Sequence, residues 1–89
     1  MEQQEVISLI KVDFPDAEVL VEGEDCSFKA VVIDPQFSTM GILQKQKSIL
    51  ATVKEQLTNG KLHAMSVKAY TPEEWEKVKA DAADILKVF

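Results

Sequence analysis

The chain has 89 residues, 46% of them hydrophobic and 28% charged, with a net charge of −5. That is core enough for one domain, too apolar for a disordered chain, and without any apolar run near the ~20 residues that cross a bilayer. The single cysteine, Cys26, excludes an internal disulfide; the acidic opening MEQQEV also lacks a signal peptide's basic stretch, so one cytoplasmic domain over residues 1–89 is the expectation.

In chain order, Val6, Ile7 and Ile10 share one face of a helix over 2–11, with acids in its first turn. Pro15 disfavours helix at Phe14, and Asp13 and Asp16 suit a turn. EVLVE (18–22) and FKAVVI (28–33) are short β-branched runs joined by a polar stretch that contains Gly23 and Cys26, the pattern of an antiparallel hairpin. Asp34 and Pro35 interrupt again, and Ser38 or Thr39 is a candidate N-cap.

From Ile42 to Leu57, apolar residues at three- and four-residue steps predict one amphipathic helix, with Gly60 in its C-terminal cap. In LHAMSVKAY a strand would turn His63, Met65 and Val67 one way and Leu62, Ala64, Ser66 and Lys68 the other. Thr71 then starts a helix through a Thr-x-x-Glu capping box with Glu74, and Tyr70 and Trp75 occupy the positions of a hydrophobic staple. Trp75, Val78, Ala82, Ile85 and Phe89 give that helix an apolar stripe. The order α-β-β-α-β-α is that of a small α+β domain.

The charge is uneven. Residues 38–70 hold five lysines against Glu55 alone, a balance of +4 that leaves −9 for the rest. The chain has no arginine, so bidentate contacts to guanine or phosphate through a guanidinium fork are excluded. One histidine and one cysteine are too few for a self-contained enzyme with an oriented nucleophile, or for a closed zinc site. They suffice as two ligands of a site that a partner completes, and imidazole and thiolate both occur on iron–sulfur clusters. The residues alone leave open whether His63 packs or ligates. A nucleic-acid surface on Lys45, Lys47, Lys54 and Lys61 is the alternative, without the GxxG loop of a KH module.

HAMSVKAYTPEEW resembles the His-Ala-(Leu/Val)-Ser-(Ile/Val)-Lys-x-Tyr-Thr-Pro-x-Glu-Trp signature of the BolA family, in its IbaG-like branch. Ser27-Phe28 before AVVI is similar to the family's second strand. Phe37, Lys45-Gln46-Lys47 and Ile49 fall at the spacing of its Phe-x-Gly and Arg-His-Arg-x-Val elements, so the likeness spans most of residues 5–76. It implies a three-stranded mixed sheet with helices, of class II KH-like topology. It also implies a non-enzymatic partner of monothiol CGFS-type glutaredoxins in iron–sulfur cluster handling, iron homeostasis and stress response. The free chain would hold no cofactor, whether as a monomer or, with its partner, a heterodimer. In the complex a [2Fe–2S] cluster is shared with the glutaredoxin and glutathione, and the implied ligands are His63, with Cys26 from the loop before the second strand. Docking without a cluster would use the basic helix 42–57 and the C-terminal helix. The family's Arg-His-Arg is Lys45-Gln46-Lys47 here, and its glycine after Phe-x is Thr39, which weakens any carry-over of DNA binding.

Overall fold

Helix α1 (Gln3–Asp13) is closed at its start by Glu2 and Glu5: the Glu2 N–H donates to Glu5 Oε1 at 3.1 Å, and the Glu5 N–H to the Glu2 carbonyl at 3.0 Å. Its apolar face buries Val6 and Ile10 completely. Phe14 ends the helix as Pro15 requires, and its ring packs on Phe37 with centroids 5.5 Å apart. The computed structural model describes residues 1–24 and 27–81.

Strands β1 (Glu18–Glu24) and β2 (Ser27–Ile33) form the expected antiparallel hairpin, in register from Glu18 opposite Ile33 to Glu24 opposite Ser27. β3 (Ala64–Tyr70) joins β2 in parallel, with Ser27 beside Ala64 and Ile33 beside Tyr70, giving a mixed sheet of order β1-β2-β3. Strand alternation separates two faces. Val19, Val21, Phe28, Ala30, Val32, Met65, Val67 and Ala69 turn inward and, with Val6, Ile10, Phe37, Ile49, Val53 and Leu62, make the main core. The other face carries a smaller cluster in which Leu20, Val31, Ile33 and Tyr70 meet Trp75 and Val78.

Between β2 and β3 the chain departs from the expected course twice. Ser38 and Thr39 do not cap a helix. A short 3₁₀ helix (Pro35–Thr39) intervenes, started by Asp34, whose carboxylate accepts from the Gln36 N–H and from Gln36 Nε2, both at 3.0 Å. The expected single helix over 42–57 is two: α2 (Ile42–Ala51), whose N-cap is Gly41, and α3 (Lys54–Thr58). The break falls at the β-branched pair Thr52-Val53. There the Thr52 and Val53 N–H groups donate to Ile49 and Leu50, three residues back, and the Thr52 hydroxyl takes Ile49's carbonyl at 2.6 Å. The tighter turn leaves Val53 outside helical geometry (φ −118°) and fully buried. Gly60 follows α3 with φ +85°, a left-handed residue just past the helix end as expected.

Helix α4 (Pro72–Asp81) starts as its sequence dictates. The Thr71 N–H donates to Glu74 Oε1 at 2.9 Å, the Glu74 N–H to Thr71 Oγ1 at 3.2 Å, and the Tyr70 and Trp75 rings lie 5.5 Å apart. Ala82, Ile85 and Phe89, the rest of the expected stripe, lie outside the described residues. Among the described residues no helix is long and apolar enough to cross a membrane.

Candidate functional site

The parallel pairing of β2 with β3 brings the starts of both strands to one end of the sheet, where Ser27 lies beside Ala64. His63 is the residue immediately before Ala64. Strand geometry would have turned it inward with Met65 and Val67. Because β3 begins only at Ala64, the alternation does not extend back to it: Leu62 is the residue buried in the main core, and His63 is exposed. This corrects the expected facing of both residues and places the imidazole at the surface.

Cys26, the residue before Ser27, lies outside the described residues. Its flanks are fixed, because Glu24 pairs with Ser27 across the hairpin end and Ser27 pairs with Ala64. A shallow groove lined by Glu22, Ser27, Lys29, Ala64 and Ser66 opens on the outer sheet face at the same end. Among the described residues no group of three or more His, Cys, Asp or Glu side chains could hold a metal ion. His63 therefore fits one role toward a cluster, as a single surface ligand with the remaining ligands supplied from elsewhere. An imidazole nitrogen is the kind of ligand that can replace thiolate on one iron of a cluster.

The four lysines proposed for nucleic acid lie in different surroundings. Lys45 is only 12% exposed and lies 3.6 Å from Glu74, so α2 is tied to the start of α4. Lys61 lines a pocket with Glu2 and Glu5 at the start of α1, among acids. Lys47 and Lys54 are exposed, on separate helices. Glu74 is held below the usual carboxylate range, first by the Thr71 N–H and also by the Lys45 ammonium. Tyr70 is pushed up by burial and by the neighbouring Glu74 carboxylate. Sequence reasoning missed the Lys45–Glu74 pair, because the two residues are joined only through the packing of α2 beside β3. It also missed the apolar lip at the start of α2, where Ile42 is 77% and Leu43 64% exposed.

The chain is 32% identical over 77 residues to an uncharacterized protein in the rpoN-murA intergenic region of Acinetobacter guillouiae, covering 86% of this chain and 93% of that one. To the acid stress protein IbaG of Escherichia coli K12 it is 31% identical over 77 residues, covering 86% and 92%. Among solved structures it is similar to a bolA protein homologue from Coxiella burnetii, with a TM-score of 0.74, 26% identity and coverage of 85% of this chain and 97% of that one. Residues 11–74 match the family described as BolA-like protein, from the end of α1 through the Thr71–Glu74 capping box. The chain belongs to the BolA-like family.

Proposed function

We propose that this chain is a non-enzymatic partner of monothiol, CGFS-type glutaredoxins, serving iron–sulfur cluster handling and iron homeostasis in the cytoplasm. In this reading a [2Fe–2S] cluster is shared with the glutaredoxin and its glutathione. His63 is this chain's principal ligand and Cys26 a second. The observation that carries the reading is an exposed imidazole one residue outside β3, at the end of the sheet where Ser27 and Ala64 pair. A histidine retained for packing would be buried, as its neighbour Leu62 is. Family membership supports a partner protein, and the acid stress protein among its relatives fits a role in stress response.

The division of labour follows from the ligand count. This chain brings an imidazole and a thiol at most, so the partner must bring the rest, and affinity for the cluster is conditional on the partner's presence. Docking before cluster transfer falls to the surface around α2, where Ile42 and Leu43 stand out beside exposed Lys47.

The test mixes the chain with a cluster-loaded glutaredoxin and glutathione. A histidine-type optical and EPR signature is expected, and it should vanish in His63→Ala while Cys26→Ser alters it. A His63→Ala spectrum identical to wild type sinks the ligand assignment.

A further inference from the structure

Gly23 occupies a strand position that no L side chain can share. Its φ is +114°, and a β-carbon there would run into the Ser27 carbonyl oxygen and lie 3.0 Å from the Phe28 Cα. Both obstacles are backbone, so a larger residue cannot be accommodated by a rotamer change. The close approach lies one residue inside the hairpin end, where Gly23 faces Phe28 and Glu24 faces Ser27. The same glycine is tied from a third side, since Gln3 Nε2 donates to the Gly23 carbonyl at 2.9 Å and anchors the start of α1 to this corner. Ser27, against which Gly23 presses, is the parallel partner of Ala64, the residue that follows His63.

We infer that Gly23 is a positioning residue for His63. By letting β1 pass close under the Ser27 carbonyl, it sets where β2 begins and therefore where β3 presents the imidazole. The inference rests on the cluster-sharing reading of His63 and adds a residue that contributes no ligand of its own. A side chain at 23 would displace Ser27 and, through the Ser27–Ala64 pair, the backbone that carries His63. Ligand atoms tolerate displacements of only about 0.5 Å before coordination suffers. Gly41 provides the internal control, because a β-carbon there meets nothing within 4 Å and its φ of −73° suits any residue.

The experiment compares full-length wild type, Gly23→Ala and Gly41→Ala in two measurements. In the free protein, amide signals of Ser27, His63 and Ala64 are followed by NMR. With a cluster-loaded monothiol glutaredoxin and glutathione, the histidine-type optical and EPR signature is titrated. Gly23→Ala should move the three amides and weaken formation of the signature about tenfold, the lower end of what lost outer-shell support costs a metal site. Gly41→Ala should do neither. A folded Gly23→Ala with unmoved amides, or with wild-type titration and spectrum, overturns the inference. If Gly23→Ala does not fold, the synthetic protein with D-alanine at position 23 replaces it. That residue accepts positive φ and carries its methyl on the other Cα hydrogen, so it should fold and titrate as wild type. A D-alanine protein that fails to fold, or binds as weakly as a displaced site, overturns the inference. A wild-type chain that yields no histidine-type signature removes the cluster-sharing reading itself, before Gly23 is at issue.

Discussion

An exposed imidazole outside a strand has little folded-state energy to lose, which separates the two roles open to His63. As a surface ligand, His63→Ala should change urea stability by no more than about 0.5 kcal/mol while abolishing the spectroscopic signature. As a packed histidine it would do the reverse, and a loss above about 1.5 kcal/mol with an unchanged partner spectrum would establish that. Glu74 presents the opposite case, a side chain with a clear structural task. The Thr71 N–H and the Lys45 ammonium favour its ionised form, so its pKa is lower folded than unfolded. A depressed carboxylate adds stability that is fully present above its unfolded pKa, about 4.3, and is lost as pH falls through the folded value. Thermal unfolding followed from pH 5 downward should therefore show a shallower fall for Glu74→Gln than for wild type. An equally steep fall would assign the acid sensitivity to other carboxylates.

Val53 shows how an element can be recognised while its shape is not. Ile49, Val53 and Leu57 keep four-residue spacing whether the backbone stays helical or tightens at Thr52, so periodicity continues across the break between α2 and α3. What favours the break is tertiary: Val53 disappears into the main core beside Ile49 and Leu62. Val53→Ala should cost about 2 kcal/mol in chemical denaturation, the price of two buried methyl groups with partial collapse of the space they leave. A loss below about 0.5 kcal/mol would show that the break is set by local propensity instead. The start of β3 was illegible for a related reason, since alternation in LHAMSVKAY fixes which residues share a face but not where pairing begins. Leu62 and His63 exchange their expected environments on that account alone. Most local chemistry, by contrast, was legible, although Ser38 and Thr39 cap no helix and Asp34 starts the 3₁₀ turn instead. The Thr71–Glu74 box, the Tyr70–Trp75 staple, the two-strand hairpin and the buried face of α1 all depend on residues within one turn or one connection. Gly23 and the Lys45–Glu74 pair depend on how separate segments approach one another, and sequence spacing carries no sign of that.

Packing the sheet on both sides also sets where the charges lie, and this bears on the nucleic-acid alternative. α1, α2 and α3 cover one face and α4 part of the other, and the lysines of residues 38–70 are spread over α2, α3, β3 and the connection before β3. Lys45 is held by Glu74 and Lys61 stands among Glu2 and Glu5, leaving Lys47 and Lys54 as the members of the original four best placed to meet a phosphate. Each phosphate neutralised contributes about −0.9 to the slope of log K against log salt on duplex DNA. Two contacts give a slope near −1.8, and a chain with a net charge of −5 opposes even those. Fluorescence anisotropy with duplex DNA between 20 and 200 mM salt should thus show weak binding and a slope no steeper than about −2, little altered by Lys45→Glu beyond the loss of its ion pair. A slope near −4, with Lys45→Glu and Lys61→Glu each removing close to one contact, would mean that all four lysines converge on the duplex.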